Sequence, residues 1–131
     1  MSQVRVLLAD DHEMILARVR ELLGKDFDVV GAVNNGRDAL VEVQRLDPDV
    51  LVIDISMPVL DGLQAVSQLM CTNCRTKVVF LTVQKGQEFV VAAFSAGASG
   101  YVAKSDVATD LVPAIREVLH GRSYVSQSIP H

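Results

Sequence analysis

Long apolar runs are missing from this sequence of 131 residues. None approaches the roughly 20 residues that a helix needs to cross a bilayer, so no membrane partner is expected. A secretion signal is missing as well. Met1-Ser2-Gln3-Val4-Arg5 leads straight into a short apolar segment ending at Asp10, and the expected compartment is the cytoplasm. Positive charge is scarce, with 12 Lys and Arg against 16 Asp and Glu and a net charge of −4. Phosphate backbones are bound through clustered Lys and Arg, so this chain by itself is a poor nucleic-acid binder. Cysteine is limited to Cys71 and Cys74, in "CTNC". Zinc would want a second pair. A redox pair would want its first Cys at a helix N-terminus, whereas this one follows a helical pattern. Two reduced bystander thiols are expected. There is no Gly-x-x-x-x-Gly-Lys loop, which excludes a P-loop nucleoside triphosphatase.

What is present is alternation. "VRVLLAD", "DVVGAVN", "DVLVID", "KVVFLTV" and "GYVAK" are short and rich in Val, Leu and Ile, as strands are. The first, third and fourth are nearly continuously apolar, the pattern of strands covered on both faces. Between them lie helical stripes: Ile15, Val19, Leu22 and Leu23; Ala39, Leu40, Val43 and Leu46; Leu63, Val66, Leu69 and Met70; Leu111, Ile115, Val118 and Leu119. Residues 87–96 form a further helix, apolar on more than one face. Gly24 and Gly121 suit helix stops, and Asp61-Gly62 opens the third helix. Pro113 fits a last helix that starts near Thr109 or Asp110, with proline in the first turn. Strict β-α alternation implies an α/β fold, a parallel sheet between two helical layers. Residues 1–122 form the domain, and residues 123–131, with little pattern, read as a frayed tail or the start of a linker.

Ligands of such sheets bind beyond the carboxyl ends of the strands. The strands end on Asp10-Asp11, Asn34-Asn35-Gly36, Asp54, Thr82 and Lys104. Singly, each has a bland explanation: Asp11 or Asp54 could cap a helix, and Thr82 could be an ordinary β-branched strand residue. Together, three carboxylates repel one another unless a cation offsets them. One lysine cannot neutralise three acids, whereas Mg²⁺ takes a few carboxylate oxygens plus waters. The loop after the first strand, "DDHE", would repel an FMN phosphate. The arrangement suits metal-assisted phosphoryl transfer, with Asp54 as the nucleophile and Lys104 and Thr82 contacting phosphoryl oxygens.

"LLADDHE", "VLVIDISMPVLDG", "VVFLT" and "GYVAK" resemble, in order and spacing, the CheY-like receiver domain of bacterial two-component response regulators. Any one motif is weak, and the ordered set is specific. "DDHEMILARVRELL" and "AGASGYVAKSDVATDLVPAIREVLHGRSYVS" resemble the NarL/FixJ subfamily, in which a LuxR-type helix-turn-helix follows the receiver. The resemblance implies a (βα)5 flavodoxin-like three-layer sandwich of five strands in the order 2-1-3-4-5. It implies that Asp54 accepts a phosphoryl group from a sensor histidine kinase. Asp11, Asp54 and the backbone carbonyl of Ser56 would then hold Mg²⁺, with Asp10 helping through water. Thr82 and Tyr101 would form the switch, and phosphorylation would drive homodimerisation or change output activity. DNA would be met only through a C-terminal domain not in this chain. The domain is expected to be a phosphoacceptor rather than an enzyme acting on other molecules. Many receivers carry proline after the lysine; here Ser105 follows Lys104.

Two other functions compete. A pseudo-receiver acting by contact alone usually lacks an acid, the hydroxyl or the lysine, and all are present here. A phosphatase with an Asp nucleophile usually places it at the first strand with an acid/base two residues on, and here Ser56 stands two residues after Asp54. Tyr101 could equally be a plain strand aromatic, and Phe89 and Phe94 read as packing residues.

Overall fold

In a computed structural model, which describes residues 3–130, the alternation becomes a six-stranded, wholly parallel sheet. In chain order the elements are β1 (Val4–Ala9), α1 (Glu13–Leu23), β2 (Phe27–Val33), α2 (Gly36–Leu46), β3 (Val50–Ile53), α3 (Gly62–Met70), β4 (Lys77–Thr82), α4 (Gln87–Ala96), β5 (Gly100–Ala103), α5 (Val107–Leu119) and β6 (Tyr124–Val125). The strand order is 2-1-3-4-5-6, so the order 2-1-3-4-5 implied by the family resemblance stands, with one strand added.

The continuous apolar runs follow from two-sided burial. Successive strand side chains point to opposite faces. Leu7, Leu51, Ile53, Phe80 and Tyr101 enter one core, beneath α2, α3 and α4. Val6, Leu8, Val52, Val79 and Val102 enter the other, beneath α1 and α5. Polar residues become possible only where the strands run out, and that is where the acids stand.

Local chemistry fixes the helix starts. Asn35 caps α2 by accepting from the Asp38 N–H at 2.9 Å, and Asp61 caps α3 by accepting from the Gln64 N–H at 2.8 Å. The N-cap of α1 is His12, without a side-chain bond, so Asp11 is no cap. Gly24 at φ 53° and Gly121 at φ 79° follow α1 and α5 in conformations that favour glycine.

Two expectations fail. The last helix starts at Val107, so Pro113 lies inside it rather than in its first turn. A short 3-10 turn over Lys104–Asp106 runs directly into the helix. An interior proline costs a helix about 3 kcal/mol. Full burial of Leu111, Ala114, Ile115 and Val118 offsets that cost, while the Pro113 ring faces solvent.

The tail is not frayed. Tyr124 and Val125 pair in parallel with Gly100 and Tyr101 of β5. The Ser126 N–H donates to the Tyr101 carbonyl at 2.9 Å, and the Ser126 hydroxyl accepts from the Ala103 N–H at 3.0 Å. Ile129 is 1 % exposed and enters the core beneath α4, and Gln87 donates to the Pro130 carbonyl at 2.6 Å. The segment carries only three apolar anchors, Tyr124, Val125 and Ile129, and no period, so its pairing with an open strand edge was invisible in the sequence. Ile129→Ala is expected to destabilise the domain by about 2–4 kcal/mol. Urea unfolding checks this, and a frayed tail would show no change.

Candidate functional site

The site forms at the carboxyl ends of the neighbouring strands β1 and β3, with β5 contributing from beyond β4. β1 lies between β2 and β3, so the crossovers leave on opposite sides there and open a crevice. Ladder bonds continue one residue past the strands: the Asp10 N–H donates to the Val33 carbonyl at 3.0 Å, and the Asp54 N–H to the Ala9 carbonyl at 2.9 Å. Both carboxylates are thereby held on rigid backbone, and both residues are only 3 % exposed.

Lys104 reaches across from the end of β5. Its Nζ lies 3.0 Å from Asp54 Oδ2 and 2.9 Å from Asp10 Oδ2. The first contact is a hydrogen bond; the second is an ion pair without hydrogen-bond geometry, which leaves Asp10 Oδ2 unsatisfied, as is Asp54 Oδ1. Burial pulls the Lys104 pKa down, but close attraction to the Asp10 and Asp54 carboxylates outweighs it, and the ammonium is held above its ordinary range. Asp11, more open, completes the acids.

One residue that the sequence reading left without a role joins them. His12 Nδ1 lies 3.0 Å from Asp10 Oδ1, 3.2 Å from Asp11 Oδ1 and 3.4 Å from Lys104 Nζ. One potential ligand atom from each of Asp10, Asp11, His12 and Asp54 lies within 4.8 Å of the others. The signal was available in "DDHE", where the residue after two acids at a strand end has to start the return of the chain.

The unsatisfied buried oxygens are the test of whether a cation fits. A buried carboxylate oxygen without a partner is costly, and one ammonium shared by two acids leaves the cluster short of positive charge. The donor set of hard carboxylate oxygens suits a hard divalent cation.

Beside the acids, Thr82 is fully buried, and its hydroxyl accepts from the Gln84 N–H at 3.3 Å. The Tyr101 hydroxyl donates to the carbonyl of the same Gln84 at 2.8 Å. Tyr101 is 0 % exposed, and its ring is tilted against Phe80 at 6.4 Å between centroids. Burial, then the negative charge of Asp54, pushes its pKa up to about 12, so the phenol stays a donor. The ring is thus inward already, and the backbone of one residue, Gln84, links the Thr82 hydroxyl to the aromatic on β5 through its N–H and its carbonyl. Ser56 is exposed in the loop after β3. No peptide bond among the described residues is cis, that between Lys104 and Ser105 included. Phe89 and Phe94 pack against the core from α4 as expected, and Cys71 and Cys74 are free thiols far along the chain from the acids, just after α3.

Comparison with known proteins agrees with this geometry. The response regulator receiver domain model matches residues 6–116, and the chain belongs to that family of two-component signalling domains. It is 36 % identical over 129 residues to the response regulator GacA of Pseudomonas viridiflava, covering 96 % of this chain and 60 % of that protein. It is also 36 % identical over 128 residues to the uncharacterized transcriptional regulatory protein YvfU of Bacillus subtilis, covering 96 % of this chain and 64 % of that protein. The chain therefore spans somewhat under two thirds of the length of these relatives. Among solved structures it is similar to a LuxR-family two-component response regulator from Aurantimonas sp. SI85-9A1, with a TM-score of 0.92 and 32 % identity over 98 % of this chain and 93 % of that one. No helix among the described residues is long and apolar enough to cross a membrane.

Proposed function

We propose that this receiver domain accepts a phosphoryl group on Asp54 from a sensor histidine kinase, and that the change is read out through Thr82 and Tyr101. The observation that carries this is the buried Asp54 carboxylate, with Oδ2 on Lys104 and Oδ1 without a partner. An Asp54 oxygen bonds to phosphorus as the P–N bond of the donor phosphohistidine breaks, and the electron pair leaves with the imidazole. Lys104 exchanges its bond to Asp54 for one to a phosphoryl oxygen, and the Thr82 hydroxyl donates to another. Mg²⁺ would be held by Asp11, Asp54 and the Ser56 carbonyl, with Asp10 helping through water, and when bound it supplies charge neutralisation for the transferred group.

The switch follows from the shared contact. If Thr82 turns to the phosphoryl group it releases the Gln84 N–H, and the Gln84–Gly86 loop, which leads into α4, then adjusts with Tyr101 bonded to it. This is population shift, with the phosphoryl group favouring one packing of two. The altered face would promote homodimerisation or act on a further domain. Transcription regulation fits the similarity to YvfU, a transcriptional regulatory protein, and to RcsB, whose dimers are solved bound to DNA. In this chain DNA contact would require a domain beyond the receiver. A receiver that works by protein contact alone is the competing reading, and the complete acid, hydroxyl and lysine set speaks against it.

Incubation with acetyl phosphate and Mg²⁺ is expected to add the mass of one phosphoryl group, and Asp54→Ala to abolish the gain. No gain, or the same gain in the variant, overturns the assignment.

A further inference from the structure

The position of His12 leads to an inference that rests on the cation site just proposed. We propose that His12 is a nitrogen donor to that site, which therefore takes imidazole-accepting transition cations such as Co²⁺ in a way that an all-oxygen site does not.

Three observations support it. First, His12 Nδ1 faces three charged groups at once: Asp10 Oδ1 at 3.0 Å, Asp11 Oδ1 at 3.2 Å and Lys104 Nζ at 3.4 Å. One ring hydrogen can satisfy only one of the two carboxylates. A cation seated among them would satisfy both, with the nitrogen lone pair turned toward it. Second, the four candidate ligand atoms lie within 4.8 Å of one another. Ligand atoms on opposite sides of an ion with bonds of about 2.1 Å sit roughly 4.2 Å apart, so small side-chain rotations close the set. Third, the site has a buried, unsatisfied oxygen of its own in Asp54 Oδ1, on a residue 3 % exposed.

The imidazole is free to take this part. Its side chain is 62 % exposed, and its ring bonds lie within the cluster, so turning toward a cation uncovers no core. Nothing else in the fold requires an imidazole here, because α1 starts at His12 without a side-chain cap. Mg²⁺ prefers oxygen and dehydrates reluctantly, whereas imidazole suits the later first-row metals. His12 should therefore contribute to one class of cation and not to the other.

The test is cation binding by the domain in a Cys71→Ser/Cys74→Ser background, which removes the thiols as competing ligands. Calorimetry reads Mg²⁺ and Co²⁺ affinity, and the visible absorption of Co²⁺ reports nitrogen ligation. His12→Gln, which keeps a polar side chain of similar reach, is expected to weaken Co²⁺ by roughly tenfold or more, to alter its spectrum, and to leave Mg²⁺ within about twofold. Unchanged Co²⁺ affinity and spectrum in His12→Gln overturn the inference, as does an equal fall for both cations. Asp11→Ala and Asp54→Ala separate the two claims. If neither weakens Mg²⁺, the underlying cation site itself is wrong; if both weaken it while His12→Gln changes nothing, only the role of His12 fails.

Discussion

Lys104→Met is expected to destabilise the domain by about 3–5 kcal/mol at neutral pH, the range for removing one partner of a buried ion pair. The side chain is 8 % exposed, and its two partners, Asp10 and Asp54, are 5 % and 3 % exposed. Without the ammonium both carboxylates stay in the crevice uncompensated, each with an oxygen that already lacks a hydrogen-bond partner. The loss should shrink in two ways that a generic packing defect would not share. Adding Mg²⁺ should recover part of it, because binding to the folded state stabilises that state. Adding Asp54→Asn should recover part as well, because it removes one of the two stranded charges. Urea midpoints of the single and double variants, with and without Mg²⁺, measure all of this; a loss unmoved by either would show that Lys104 matters only as a hydrocarbon stem. Phosphoryl gain from acetyl phosphate should also slow by a factor of roughly 10 to 100 as a charge-stabilising donor is lost.

The same lysine sets a pH dependence with a definite sign. Its pKa is raised in the folded state from an ordinary value of 10.5. The stabilisation is therefore full below about pH 10.5 and is lost as pH rises through the raised value. Stability of the parent domain should fall in that alkaline window, and Lys104→Met should lack this component of the fall.

Much of this was legible in the sequence, for physical reasons that differ between parts. The strands announced themselves because both faces of the sheet are covered, which forces runs such as "VLVI" to be apolar throughout. The acids stood out because such runs end abruptly at the rim. Lys104 and Thr82 could be placed there from the same rule. Less was legible where the determining contact lies far along the chain. The tail binds through the backbone of Tyr101 and Ala103, which no side-chain pattern records. Pro113 was placed in a first turn by a local rule that burial of its neighbours overrides. His12 was passed over because a lone histidine has no spacing to read; its meaning comes from Asp10, Asp11 and Lys104 closing around it. That Thr82 and Tyr101 meet on the backbone N–H and carbonyl of one residue, Gln84, needed coordinates.

Gly62→Ala should impair both fold and site although residue 62 bears no functional group. A Cβ built there would lie 2.0 Å from the Asp54 carbonyl oxygen, 2.9 Å from its carbon and 3.0 Å from the Ile55 Cα. These are backbone atoms of Asp54, the proposed phosphoacceptor, and of Ile55, so no flexible side chain can yield. The Gly62 N–H donates to the Ile55 carbonyl at 2.7 Å, and α3 starts pressed against the end of β3. The other side of the same loop is closed equally tightly, since a Cβ on Gly36 would lie 2.0 Å from the Leu60 carbonyl oxygen. The β3–α3 loop is thus gripped between the first residues of α2 and α3, and neither helix can move aside freely. Overpacking of this kind costs about 1–3 kcal/mol and shifts backbone. Here the backbone that shifts carries Asp54, whose Oδ2 accepts from Lys104 at 3.0 Å and whose Oδ1 has no partner. Phosphoryl gain in Gly62→Ala should therefore fall more than the stability loss accounts for, when measured well below the unfolding transition. Gly121→Ala is the control: that glycine has a positive φ of 79° but nothing within 4 Å of a built Cβ, so it should lose about 1 kcal/mol and phosphorylate normally. Equal phosphorylation in both variants would mean that the close approach at Gly62 positions the helix and not the carboxylate.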